Sequence, residues 1–324
     1  MELDSMAQAQ TMIGAAGPSP RVAVLIPAYN EALTIAAVVG EFQVSLPEAS
    51  IFVYDNNSSD DTADIARRAG AIVRTENRQG KGYVVRRMFN DIEADVYLLV
   101  DGDATYEAAA APRLVAALLS GPYDKVNGAR VTERAQAYRP GHVLGNRLLS
   151  GLVSRIFGSR GHDMLSGYKA LSRRFVKSFP AASRGFEIET ELMVHALDLD
   201  LPIMEIDTVY GERPPGSQSK LSTYRDGLRI FGLILHLVRD LMPLQFFSAV
   251  AGILILASIG FGTPVILTFI ETGLVPKLPT AVLSVGLMIA GLLALMTGLI
   301  LDSVARGRRE GKRLAYLALR GPGS

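Results

Sequence analysis

Through its first two thirds the chain alternates short apolar runs with amphipathic stretches, and long uncharged runs take over after residue 240. Arg21–Pro27 (RVAVLIP) is a β-branched apolar run of strand length, which predicts a buried parallel strand. Ala32–Leu46 carries apolar residues at helical spacing. Ser50–Tyr54 predicts a second strand, Asp61–Ala69 a helix and Ala71–Arg74 a third strand. Lys81–Ile92 predicts a helix, and Val96–Val100 (VYLLV) a strand running into Asp101. Strand–helix alternation implies a parallel sheet with helices on both faces. Ligands of such sheets sit at the carboxyl ends of the strands. The polar segments Pro27–Glu31, Asp55–Ser58 and Asp101–Asp103 all fall there.

The last third follows a different rule. Leu241–Ile270 is 30 residues without a charge, and Leu278–Leu301 is 24 more. About 20 apolar residues span a bilayer, so each run predicts a transmembrane helix. Only Glu271–Lys277 separates them, which makes a tight hairpin with both flanks on one side. Lys220, Arg225, Arg229 and Arg239 precede it, and Arg306, Arg308, Arg309, Lys312, Arg313 and Arg320 follow it. The positive-inside rule assigns both flanks, and the whole N-terminal part, to the cytoplasm. Gly252, Gly260, Gly286, Gly291 and Gly298 allow close helix packing or oligomer contacts, and Pro264 predicts a kink. Ser222–Pro243 mixes a broad apolar face with Arg225, Arg229, His236 and Arg239, as an interfacial amphipathic helix does. Met1–Pro20 lacks the basic start and apolar core of a secretory signal and reads as a flexible tail. The expected organisation is a tail (1–20), an α/β domain (21–221), a juxtamembrane helix (222–243), a hairpin (244–301, with spans near 244–270 and 279–301) and a basic cytoplasmic tail (302–324).

Composition agrees with two unlike parts: mean hydropathy is +0.24 although 20% of the 324 residues are charged. Lys plus Arg is 33 and Asp plus Glu 32, so the net charge of 33 − 32 = +1 gives no sign of a nucleic-acid binder. The absence of Cys excludes disulfides, thiolate metal sites and thiol catalysis.

Candidate chemistry gathers at the predicted strand ends. Asp101-Gly102-Asp103 can point two carboxylates at one hard cation such as Mg²⁺ or Mn²⁺, with Gly letting the ligand approach. Thr105 and Tyr106 stand ready to complete that shell or shape the pocket. Asp55 ends a second strand, where an acid suits a ribose or base; a helix-capping turn is its other reading. Lys81, between two glycines before a helix, suits a phosphate but lacks Walker spacing. In Gly185–Leu192 (GFEIETEL), Glu187 and Glu191 share a helical face and Glu189 does not. Asp163 precedes Ser166-Gly167-Tyr168 and is a candidate to line the same pocket. His142, His162, His195 and His236 form no metal or triad pattern and read as structural.

Seven motifs occur in order: VAVLIPAYNE (Val22–Glu31), VYDNNSSDDT (Val53–Thr62), GKGYVVR (Gly80–Arg86), VDGDATY (Val100–Tyr106), GAR (Gly128–Arg130), DMLSGYKALSR (Asp163–Arg173) and GSQSK (Gly216–Lys220). The set resembles family 2 glycosyltransferases of the GT-A fold. Within them it is similar to the polyprenyl-phosphate glycosyltransferases, bacterial relatives of dolichyl-phosphate mannose synthase, of the branch with two transmembrane helices. The resemblance implies an α/β GT-A (Rossmann-like) domain, an interfacial helix and a membrane hairpin in a bacterial inner membrane. It implies a nucleotide-sugar donor, a polyprenyl phosphate acceptor, a bilayer partner and a homo-oligomer, a tetramer among the states open to it.

By the same resemblance Pro27, Tyr29, Glu31 and Asp55 hold the nucleoside with Lys81 nearby, and Asp101 and Asp103 bind Mg²⁺ or Mn²⁺. Arg130 holds the acceptor phosphate. Arg213, Ser217, Ser219 and Lys220 form a loop over donor diphosphate and acceptor, with Arg213 and Lys220 catalytic alongside the two aspartates. Glu187, Glu189 and Asp163 line the donor-sugar side. Mannose synthases often carry Gln where this chain has Thr105, which turns the expectation from GDP-mannose to a UDP-linked hexose or hexuronic acid such as glucose or galacturonate. A phosphate acceptor is already anionic and attacks without a strong base, inverting the anomeric centre. A transferase to a lipid or glycan hydroxyl, a GDP-mannose-dependent synthase and a non-catalytic scaffold remain the other readings.

Overall fold

The computed structural model describes residues 19–131, 163, 166–181, 185, 187–211, 232, 235–236, 238–319 and 321. The chain divides into two units. The first holds the sheet and takes in Ala315–Ser324; the second holds Leu221–Leu314 with a short segment from residue 147 to 152.

The sheet unit begins β1 (Val22–Ala28), α1 (Ile35–Ser45), β2 (Ser50–Asp55), α2 (Thr62–Arg68), β3 (Ile72–Thr75), α3 (Lys81–Asp91) and β4 (Val96–Leu99). It continues through a 3₁₀ turn to α4 (Ala111–Ser120), β5 (Lys125–Val131), β6 (Lys169–Ser172), α5 (Arg173–Ser178), α6 (Ile188–Asp198) and β7 (Ile203–Val209). The seven strands lie in the order β3-β2-β1-β4-β6-β5-β7. Successive β1 side chains enter opposite cores: Val24 and Ile26 pack with Ile35, Phe42 and Leu114, while Ala23 and Leu25 pack with Val85, Met88 and Leu192. Burial on both faces is why β1 reads as an unbroken apolar run.

The first four strands are parallel, with Ala28 level with Asp55 and Leu25 level with Leu99. This is the parallel arrangement that the strand–helix alternation predicts; beyond it the sheet is mixed, with β6 antiparallel to both β4 and β5. The reversal has a consequence for chemistry. Lys169, the first residue of β6, lies opposite Leu99 and Asn127, so it enters the sheet at the edge where β4 delivers Asp101.

At the other end of β5, Asp124 is fully buried and saturated with donors. Ser172 Oγ donates to it at 2.6 Å, Arg174 Nη2 at 2.8 Å and Tyr316 Oη at 2.6 Å. The Arg174 guanidinium also lies 4.7 Å from the centre of the Tyr316 ring. Tyr316, itself part of the sheet unit, thus closes a cluster around a buried charge that needs every one of these partners.

The second unit is built on α7 (Pro243–Thr272) and α8 (Leu278–Leu317), both long and apolar enough to cross a membrane. α7 ends at Gly273, whose φ of 68° is the left-handed conformation that glycine adopts without strain. α7 continues as helix through Pro264, and α8 continues beyond Leu301 to Leu317, so Arg306–Arg313 are helical. The two helices meet through small residues. Ser258 Oγ donates to the Ser284 carbonyl at 2.7 Å, and Ser284 Oγ donates to the Ser258 carbonyl at 2.8 Å. A Cβ on Gly291 would stand 2.8 Å from Ile255 Cγ1, and one on Gly298 2.9 Å from Phe247 Cβ. Gly252, Gly260 and Gly286 meet open space instead. Large apolar side chains such as Leu256, Phe261, Leu283, Leu292 and Ile300 are exposed along the two helices.

With no native Cys, the hairpin can be read by cross-linking. Ser258→Cys with Ser284→Cys is expected to form a disulfide on mild oxidation in membranes. Adding Gly291→Leu is expected to lower the yield severalfold on non-reducing gels, because the helices must part to admit the side chain.

Candidate active site

The site is assembled from four strand-end loops sewn together by short polar side chains. Asn30, held at a φ of 51°, donates its N–H to Ser58 Oγ at 3.0 Å and accepts the Ser59 N–H at 2.8 Å. Glu31 N–H donates to Thr62 Oγ1 at 2.8 Å. Asn56 accepts the Gly80 N–H at 2.7 Å and donates to the carbonyls of Glu76 and Arg78. Thr34 Oγ1 donates to the Gly102 carbonyl at 2.7 Å. Loops after β1, β2, β3 and β4 are thus locked into one rim, which explains why the Asn/Ser/Thr-rich runs sit where they do.

Asp55 is buried in this rim. One carboxylate oxygen accepts the Ser58 N–H at 3.2 Å, while Oδ1 is buried without a hydrogen-bond partner among the described residues. A buried acceptor left open is costly unless a ligand donor reaches it, as a base N–H or ribose hydroxyl would. Pro27, near the end of β1, and Tyr29 and Glu31 on the loop after it are partly exposed.

The β4 loop carries the acidic pair. Asp103 is buried, and Thr105 Oγ1 donates to its Oδ1 at 2.6 Å. Asp101 is more open. Its Oδ1 takes the Lys81 ammonium at 2.6 Å, and its Oδ2 lies where a Cβ on Gly167 would come within 2.2 Å. Glycine is thus obligatory at 167 for the carboxylate to lie there. Tyr106 Oη accepts the Gly167 N–H at 2.7 Å and holds that segment in place.

Lys81 does not point out of the helix start as a free cation. Its ammonium is shared between Asp101 and Glu189 Oε1, also at 2.6 Å, and the other Glu189 oxygen meets the Lys169 ammonium. Lys169 is fully buried and also donates to the Ser166 carbonyl. Burial alone would raise the Glu189 pKa, but the Lys169 and Lys81 charges prevail and hold it down at about 2. Burial opposes the charge on Lys81, yet Asp101 and Glu189 raise it above the ordinary lysine range. Lys169 is lowered, because burial outweighs the help from Glu189.

Farther along the edge, Arg130 and Asp163 form a two-pronged pair with both N–O distances at 2.7 Å, and the Arg130 guanidinium lies 5.4 Å from the Tyr210 ring centre. Burial raises Asp163, and the Arg130 hydrogen bonds and charge overcome this to hold it low.

The structure thus gathers Asp55, Lys81, Asp101, Asp103, Glu189, Arg130 and Asp163 on the carboxyl edge of the sheet. Glu187 stands exposed at the start of α6. Arg213, Ser217, Ser219 and Lys220 lie outside the described residues, as do His142, His162 and most of the juxtamembrane helix. His195 is buried between the Phe175 and Phe179 rings, and its Nε2 meets Ser178 Oγ at 3.2 Å, a packing role. Sequence reasoning missed Lys169 and Asn56. The signal for Lys169 was a lone charge inside a buried strand (YKALS), which obliges a buried counterion elsewhere.

Asp101 and Asp103 offer hard oxygen ligands suited to Mg²⁺ or Mn²⁺. Among the described residues no third His, Cys, Asp or Glu joins them to complete a protein-only site. Two carboxylates would leave such a cation positions to share with a diphosphate and water.

The mixed sheet, its acidic loop after the fourth strand and the orphaned acid after the second define a GT-A glycosyltransferase fold. Residues 23–179 match the model of "Glycosyl transferase family 2". Glycosyltransferase AglJ of Haloferax volcanii is 33% identical over 300 residues, covering 90% of this chain and 97% of that one. The dolichyl-phosphate hexose transferase of the same organism is 27% identical over 209 residues, 64% of this chain and 90% of that one. Among solved structures, glucosyl-3-phosphoglycerate synthase from Mycobacterium tuberculosis, in complex with Mn²⁺, UDP and glucosyl-3-phosphoglycerate, superposes with a TM-score of 0.55 at 25% identity. It covers 68% of this chain and 79% of that one. The chain belongs to glycosyltransferase family 2 and is a hexosyltransferase.

Because Glu189 is held well below the ordinary carboxylate range, its ion pairs stabilise the fold fully above the unfolded-state pKa of about 4.3. That stability is lost only as pH falls from there toward about 2. Glu189→Gln is expected to cost on the order of 3 kcal/mol. The gap from wild type, followed by denaturant unfolding, should stay constant from pH 8 to pH 5 and close on further acidification.

Proposed function

We propose that this enzyme transfers a sugar from a nucleotide sugar, a UDP-linked hexose or hexuronic acid, to the phosphate of an undecaprenyl-type polyprenyl phosphate at the cytoplasmic face of the membrane. The observation that carries the reading is the state of two carboxylates on the donor-sugar side, Glu189 and Asp163. Both oxygens of Glu189 are taken by ammonium groups, and both oxygens of Asp163 by one guanidinium. A sugar or lipid hydroxyl needs a proton acceptor; a phosphate monoester, already anionic at neutral pH, does not. The two membrane-length helices in the same chain supply a reason for a lipid-linked acceptor. The dolichyl-phosphate hexose transferase relative and the Mn²⁺- and UDP-bound neighbour support the acceptor and donor classes.

In this reading the orphaned Asp55 oxygen and the Tyr29–Glu31 loop receive the nucleoside, and Asp101 and Asp103 hold the divalent cation. Bound there, the cation would offset charge growing on the departing diphosphate. Lys81, paired with Glu189, keeps a further positive charge near the departing diphosphate. Arg130, oriented by Asp163, faces the acceptor phosphate, and Arg213, Ser217, Ser219 and Lys220 cover the reacting groups. Attack opposite the leaving diphosphate inverts the anomeric centre and yields a polyprenyl-phosphate sugar, a donor for envelope glycans.

Membranes containing the protein, given a panel of radiolabelled nucleotide sugars and undecaprenyl phosphate with Mg²⁺, are expected to produce organic-extractable label from one donor. Label appearing only with hydroxyl acceptors would refute the reading. Asp103→Ala is expected to lower transfer at least a hundredfold while the protein still fractionates with membranes; near-normal transfer by that variant would remove the cation role from Asp103.

A further inference from the structure

The four buried or half-buried charges Lys169, Glu189, Lys81 and Asp101 form one alternating chain. It starts in the sheet and ends in the cleft, with side-chain exposures of 0%, 6%, 9% and 31%. Its charges sum to zero. Lys81 is the last buried cation, and Asp101 the first accessible anion. A divalent cation that takes Asp101 must therefore compete with an ammonium already 2.6 Å from the same carboxylate. Two cations that close repel strongly in a partly desolvated site.

Lys81 has somewhere to go, because Glu189 holds it at the same distance from the other side. How firmly Glu189 holds it depends on Lys169, which occupies the second Glu189 oxygen. Lys169 cannot follow Lys81 toward the cleft. It also bonds the Ser166 carbonyl, and Ser166 is fixed by its own hydroxyl donating to the Gly128 carbonyl at 2.6 Å.

We propose that Lys169 is a positioning residue that sets divalent-cation access to Asp101 by acting through Glu189 and Lys81. By neutralising half of Glu189, it keeps the Lys81 ammonium shared between two carboxylates. Lys81 thus serves as the resident counterion of Asp101 and yields that place to an incoming cation. Without the Lys169 charge, Glu189 draws Lys81 off Asp101. Without the Glu189 charge, Lys81 falls wholly onto Asp101 and blocks it. The inference rests on the reading of Asp101 and Asp103 as cation ligands.

The test is Mn²⁺ binding by the full-length protein in detergent, read by electron paramagnetic resonance with and without UDP and against a protein-free blank. Lys169→Gln is expected to bind Mn²⁺ severalfold more tightly than wild type, and Glu189→Gln severalfold more weakly. The double variant restores the wild-type net charge, so it separates the two explanations. If the chain acts as described, the double variant binds as weakly as Glu189→Gln, because Lys81 has only Asp101 left. If it binds like wild type, only the summed charge matters and the proposal is overturned; the same holds if Lys169→Gln weakens binding or leaves it unchanged. Circular dichroism checks folding of each variant, and Lys169→Met replaces Lys169→Gln should the latter not fold. Wild-type protein that binds no Mn²⁺ in either condition would instead refute the cation reading of the aspartates, a distinct failure.

Discussion

Everything at the site depends on one constraint: carboxylates brought together at a sheet edge and out of water must each find a positive charge or a donor. Parallel strands deliver Asp55 and Asp101 to the same edge, and the loop after β4 adds Asp103. The protein meets the constraint unevenly. Asp101 is neutralised by Lys81, Asp163 by Arg130 and Glu189 by two lysines, whereas one Asp55 oxygen is left open. The paired groups give the site its rigidity, and the open one its appetite for a ligand.

The neutral rim around these charges is as important as the charges. Ser58, Thr62, Asn56 and Thr34 each satisfy backbone groups of a neighbouring loop. Four loops that would otherwise move separately become one surface, so the acidic groups are held by packed strands behind and hydrogen bonds in front. The same economy governs the helical hairpin, where two serines satisfy each other's helix carbonyls and glycines let the backbones close.

Much of this was legible in the chain. The strands β1 to β4 and their helices follow from apolar runs and periodicity, and the two long helices from runs without a charge. The candidate residues Asp55, Lys81, Asp101 and Asp103 follow from their position after apolar strands. Less legible was anything that depends on chain reversal. β6 lies beyond the strands that the alternation predicts and runs antiparallel to its neighbours, and a strand of four residues carries no mark of its direction. Helical spacing put Glu187 and Glu189 on different faces, but only the packing of α6 shows that the Glu189 face is the buried one and leaves Glu187 exposed.

The sequence by itself determined the α/β alternation, the membrane-length helices and which residue types reach the strand ends, because these are set by local periodicity and burial along one segment. The tertiary structure alone decided who neutralises whom. Lys169 meets Glu189, Tyr316 meets Asp124 and Arg130 meets Asp163 across 20 to 192 residues of chain. Such partnerships arise from strand order and direction, and electrostatic pairing is a property of distance in space, which no local pattern encodes.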